Sequence, residues 1–185
     1  MELTYAQKQL GLTVDGQWGP KTAGAVATAL KSDLSYLRVK LSKSFELREL
    51  LISETAVRKR ISNLPDASQL LSMARLCRYV LQPVRDHFEK PVVVTSGLRV
   101  PKLNRAVGGS RTSQHCYGEA ADFTVVGESN LAVCKWIAAN CPFDQLIYEF
   151  GEHGWIHCSY RPSGRQECRS ATKSSLGRTK YIKGF

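Results

Sequence analysis

The sequence predicts an α+β fold, because helical spacing of apolar residues fills its first half and β-branched runs fill its second, with one further helix among them. Apolar residues make up 43% of the 185-residue chain, enough for a proper core and against global disorder.

In order along the chain, Tyr5 to Leu12 has helical spacing and Val14 to Pro20 is turn-rich. Lys21 to Lys31 is Ala-rich and helical, with Pro20 suited to a first helical turn that needs no N–H there. Residues 1–32 thus read as a short helical segment of their own. A polar, basic stretch leads to a helix from Ser44 to Leu51, with Ser44 as its cap. From Asp66 to Phe88 the spacing of Leu70, Leu71, Ala74, Cys77, Val80 and Val84 predicts a long helix, which Pro83 should kink or divide.

The β-branched run Pro91 to Gly97 predicts the first strand. Residues 101–114, rich in Gly, Ser, Asn and Arg, predict a loop. Ala120 to Val126 follows as a strand, Leu131 to Ala139 as a helix, and Gln145 to Glu149 and Trp155 to Tyr160 as two more strands. The main domain is therefore expected over 33–165, and 166–185 as a basic tail.

Charge narrows the partner. There are 26 Lys and Arg against 16 Asp and Glu, which favours an anionic partner: nucleic acid, a membrane surface or a cell-wall polymer. No helix-turn-helix or zinc-finger pattern aims these charges at DNA, so nucleic acid is not the expected partner. Six cysteines occur with no C-x-x-C pair, which favours free buried thiols over a disulfide framework. The first residues lack a basic region followed by an apolar one, and no run has the length to span a bilayer. Synthesis in a cytoplasm without a signal peptide, and no stable membrane insertion, are the expectations.

Three potential metal ligands stand out. His115 and Asp122 are separated by six residues, with Gly118 between them to let the chain bend. Ala120 and Asp122 share a strand face because the side-chain period is two. In Trp155 to Tyr160 the same period sends Trp155, His157 and Ser159 one way and the apolar Ile156 and Cys158 to the core. Two imidazoles and one carboxylate, with a fourth position for water, make a catalytic zinc site. The alternative on spacing alone is a hydrogen-bonded structural His–Asp pair. Cys116 and Cys158 adjoin the histidines but point to opposite faces and are not counted as ligands.

The pattern Ser113-x-His115-x-x-Gly118-x-Ala120-x-Asp122, followed by Trp155-Ile156-His157, resembles the zinc D-alanyl-D-alanine carboxypeptidase and peptidoglycan endopeptidase family, phage endolysins included. The folded domain of hedgehog proteins shares this zinc scaffold. The likeness runs from about residue 40 to 160 and takes in Thr95 to Arg99 and Asn104 to Gly109. It implies a small central antiparallel sheet flanked by helices, one zinc ion in its cleft on His115, Asp122 and His157, and hydrolysis of peptidoglycan peptides.

Peptide hydrolysis needs a base for the water. The family commonly has an acid three residues before the last ligand, where this chain has Gly154. The hedgehog-like Tyr-Glu pair resembles Tyr148-Glu149, so Glu149 is the expected base and Glu152 the second choice. Arg99, in a Ser-Gly-x-Arg turn, is implied to bind the substrate carboxylate or steady an oxyanion; a surface salt bridge is its plain alternative. Ser113 and Gln114 are candidate substrate contacts. Gln9 to Val26, with Asp15-Gly16-x-Trp18-Gly19-Pro20 at its centre, resembles a shortened peptidoglycan-binding helical module. The resulting expectation is a monomeric lytic hydrolase of the phage endolysin type, acting at the cell wall or periplasm after release. Its rivals are a zinc-stabilised wall-binding module without turnover and a virion protein.

Overall fold

The computed structural model describes residues 1–174 and 177–185. Its helices are α1 (Leu3–Gln9), α2 (Pro20–Ala29), α3 (Glu54–Arg58), α4 (Ala67–Leu76), α5 (Gln82–Phe88), α6 (Pro101–Ala106) and α7 (Asn130–Asn140). Its strands are β1 (Val92–Ser96), β2 (Ala120–Val125), β3 (Gln145–Glu149), β4 (Trp155–Ser159), β5 (Glu167–Lys173) and β6 (Thr179–Lys183). They form one sheet in the order β1-β2-β4-β3-β5-β6. All neighbours are antiparallel except β3 and β5, which pair in parallel. The architecture is α+β, with helices against the sheet.

Local chemistry explains most boundaries. Asp66 caps α4 by accepting from the Gln69 N–H, while the Gln69 side chain returns to the Asp66 N–H. The long helix expected over 66–88 is interrupted by a widened π turn at Cys77–Leu81, in which the Gln82 N–H reaches back to the Cys77 carbonyl. Pro83, in the first turn of α5, has no N–H to continue an α ladder, and the π turn absorbs that loss.

Three expectations are corrected. Ser44 does not cap a helix: the turn is a 3₁₀ segment, Leu47–Leu51, capped by Glu46 together with Glu49. The loop over 101–114 contains α6, started by Pro101 at its first position. Residues 166–185 are no tail but supply β5 and β6, because β3 has a free edge that β5 fills. Apart from that one parallel pair, the sheet is the antiparallel one expected.

The core lies between sheet and helices. Phe45, Leu47, Leu50, Leu70, Met73, Leu76, Phe123, Ile137, Leu146 and Ile156 are fully or almost fully buried in one cluster. Ala23 and Val26 of α2, with Leu30 just after it, belong to the same cluster, and the Trp18 indole N–H donates to the Lys40 carbonyl at 3.0 Å. α2 is thus packed on α4 with its apolar face inward. All six cysteines are free. Among the described residues no helix is long and apolar enough to cross a membrane.

Candidate metal centre

β2 and β4 are adjacent, and their register sets Asp122 beside His157 on one face. His115 arrives from the 3₁₀ turn Gln114–Tyr117, which ends on Gly118 at φ +69°. A side chain at 118 would be strained in that left-handed conformation and would meet the Gln69 carbonyl at 2.5 Å. Glycine there lets the chain turn from His115 into β2 while passing close to α4. The Arg99 N–H also donates to the His115 carbonyl at 3.0 Å, tying this turn to the end of β1.

The three side chains converge. His115, Asp122 and His157 are buried, and each offers a ligand atom within 4.8 Å of the others. His115 Nδ1 lies 2.7 Å from the Gly97 carbonyl, which only accepts, so Nδ1 carries the proton and Nε2 a lone pair. That lone pair faces Asp122 Oδ1 at 3.2 Å and His157 Nδ1 at 3.3 Å. His157 Nδ1 in turn lies 2.9 Å from the same oxygen. One proton on His157 cannot satisfy both contacts, whereas a cation among the three atoms would satisfy all of them. Burial disfavours the His115 imidazolium and pushes its pKa down, against the pull of Asp122. A neutral ring is what metal binding requires. Burial works against the Asp122 carboxylate, but its polar neighbours, His157 at Oδ1 and the Arg99 guanidinium at Oδ2, outweigh it and keep the group ionised. This donor set suits zinc.

Arg99 steadies the aspartate. Its Nε donates to Ser96 Oγ at 2.8 Å and one terminal nitrogen to Asp122 Oδ2, leaving Oδ1 for the histidines. The other terminal nitrogen has no hydrogen-bond partner among the described residues, and Arg99 lines the cleft. A polar cleft of about 780 Å³ opens above the three groups. Ser113, Gln114, Glu149, Trp155, Arg161, Arg165 and Tyr181 share its wall. Gln114 is partly engaged, donating to Asp144 Oδ2 at 2.8 Å.

The two acids considered from the sequence occupy different places. Glu149 ends β3, half-buried in the cleft wall, with no hydrogen bond or ion pair among the described residues. Burial raises its pKa and the Asp122 charge adds to the rise, while His157, Arg99 and Lys173 oppose it. Glu152 is exposed and does not line the cleft. It accepts from the Asn130 and Leu131 N–H groups at 2.7 and 3.1 Å, from Ser129 Oγ, and from the Tyr148 hydroxyl at 2.8 Å. Its carboxylate therefore closes the N-terminus of α7.

Gly154, where the family resemblance leads one to look for an acid, has a steric reason. A Cβ at 154 would fall 1.8 Å from the Glu149 carbonyl oxygen, so the β3–β4 turn is too tight for any side chain there. Residues 43–159 match the Peptidase M15 family model, which spans every group of the cleft named so far except Arg161, Arg165 and Tyr181.

The chain belongs to the peptidase M15 family.

It is also similar to the zinc D-Ala-D-Ala carboxypeptidase of Streptomyces albus G, at 27% identity over 151 residues. That match covers 74% of this chain, and the chain spans 59% of the relative's length. Sequence reasoning missed Tyr181, Arg161 and Arg165 as cleft residues. No local signal points to Tyr181, because β6 is exposed throughout and its residues carry no alternation of polarity.

Proposed function

We propose that this M15 chain is a zinc peptidase that hydrolyses peptide bonds in the stem peptides or cross-links of bacterial peptidoglycan. The observation that carries the reading is the convergence of His115 Nε2, His157 Nδ1 and Asp122 Oδ1 at the floor of a cleft whose wall holds an uncommitted carboxylate, Glu149. These three residues would hold the ion. When bound, zinc supplies Lewis acidity, activating a water and polarising the scissile carbonyl.

The protein's own groups supply the rest. Glu149 takes the proton from the attacking water and returns it to the leaving amine. Its position on a strand holds it more rigidly than a loop would. Arg99 orients Asp122 and presents its remaining terminal nitrogen to a substrate carboxylate or to the oxygen that becomes negative. Ser113 and Gln114, beside the first ligand, hold the peptide backbone. Arg161, paired with Glu119, and Arg165, paired with Asp144 and Glu167, make this end of the cleft polar, with guanidinium groups able to donate to a peptide.

The similarity to a D-Ala-D-Ala carboxypeptidase supports a terminal or cross-linking D-alanyl bond as substrate. A lytic role of the endolysin type is the finer form of this reading. An excess of ten positive charges would favour approach to an anionic envelope, in a salt-sensitive way. The helical segment 1–32 serves in this reading as a wall-facing cap on the catalytic unit, and the protein works as a monomer.

Clearing of purified peptidoglycan by the full chain, followed by mass spectrometry of the released peptides, tests the proposal. Peptide-bond cleavage that is lost with a chelator and restored by zinc is the expected result. Zinc binding without any cleavage would instead mean a wall-binding module.

A further inference from the structure

The cleft face of the sheet continues beyond the family-matched region. Strand register sets Trp155 beside Glu149, Glu149 beside Ala171, and Ala171 beside Tyr181. Laterally paired residues share a face, so these four form one row across β4, β3, β5 and β6. Glu149, Trp155 and Tyr181 all line the cleft. Ala171 is small and buried, and a methyl group between them lets the longer Glu149 and Tyr181 side chains face the same space. The candidate base is thereby flanked by an indole on one side and a phenol on the other.

The hairpin that carries Tyr181 is firmly attached. β5 runs along the whole of β3, the Phe150 N–H donates to the Ala171 carbonyl at 2.9 Å, and the chain end is held by the Ser170 hydroxyl donating to the Gly184 carbonyl at 2.6 Å. Yet Tyr181 itself is 49% exposed, a large aromatic side chain left open beside the cleft. The opposite end of the cleft, at Arg161, Arg165 and Gln145, is charged and polar. The two ends therefore differ in what they would bind.

We propose that Tyr181 is a specificity-determining substrate contact, its ring packing against the part of the peptide that lies over Glu149. This rests on the peptidase reading above and adds to it a wall supplied by residues 166–185. Aromatic rings bind peptide planes and aliphatic side chains with little loss of conformational freedom, which makes an exposed Tyr effective in such a place.

The test compares the zinc-loaded full chain with Tyr181→Ala and Tyr181→Phe on a synthetic peptidoglycan stem peptide. Tyr181→Ala should raise KM about tenfold, the scale of one lost side-chain contact, with kcat within about twofold. Tyr181→Phe should recover most of that loss, and both variants should keep the zinc content of the parent. An unchanged KM in Tyr181→Ala, or a fall in kcat alone, would overturn the contact. Should the parent bind the peptide without cleaving it, the peptidase reading fails separately. Calorimetric affinity then decides: about tenfold weaker binding by Tyr181→Ala supports the contact, and equal binding overturns it.

Discussion

Along β2, β3 and β4 successive side chains go to opposite faces of one sheet, and the two faces are filled on different terms. Under α7 the residues Phe123, Leu146, Ile156 and Cys158 are fully buried and apolar, apart from one thiol. Burial raises the Cys158 thiol well above its ordinary range, so it stays a neutral packing group. On the cleft face Asp122 and His157 are buried but polar, and Glu149 is half-buried with no partner. One face holds the strands together; the other uses the resulting rigidity to hold charges that would otherwise be solvated. The comparison teaches that stability and chemistry are separable here by residue parity alone.

Substitutions on the ligand row should break the chemistry most. Asp122→Ala or His157→Ala is expected to abolish stoichiometric zinc in metal analysis and to lower peptidoglycan turnover by about a thousandfold or more, losses that added zinc does not restore. Glu149→Gln should keep its zinc and lose about 10²- to 10⁴-fold in kcat, as measured on released peptides. Retained kcat in that variant would move the base elsewhere.

On the opposite face the readout should be stability. Phe123→Ala is expected to cost about 3–5 kcal/mol in urea unfolding, with kcat per folded molecule unchanged. A change in kcat as large as that of Glu149→Gln would show that the two faces are not independent.

Two smaller effects sharpen the same contrast at charged groups away from the metal. Burial works against the Asp144 carboxylate, but its hydrogen bonds from Arg165 and Gln114 prevail and hold its pKa down to about 2. The side chain is almost fully buried, and Arg165 is largely exposed. Because the folded value lies below the ordinary one of about 3.9, the stabilisation is present above about pH 4 and is lost as pH falls through about 2. Asp144→Asn should therefore cost about 1–2 kcal/mol at neutral pH, a difference that shrinks in acid unfolding series. Glu152→Gln should weaken the closure of α7 by about 1 kcal/mol while leaving kcat intact, the reverse of Glu149→Gln.

Much of the fold was legible. A β-branched run marked β1, period-two alternation set the faces of β2 and β4, and helical spacing marked the stretch that holds α4 and α5, because those segments bury one face in a common core. The segments that were misjudged lack that imprint. β6 is exposed throughout, so its residues carry no alternation of polarity. α6 is six residues long with few apolar positions, and its Pro101 start was the only strong signal.

By itself the sequence determined which side chains within a strand share a face, and so that His157 turns away from Ile156 and Cys158, which go to the core. Backbone geometry alone forces that alternation. Tertiary structure decided the rest, because it depends on which elements become neighbours. Glu152 is engaged only because the turn after β3 meets the N-terminus of α7, Gly154 is glycine only because that turn closes on the Glu149 carbonyl, and Tyr181 reaches the cleft only because a parallel strand was added to β3. Contacts between residues distant in the chain are set by packing, which no local pattern records.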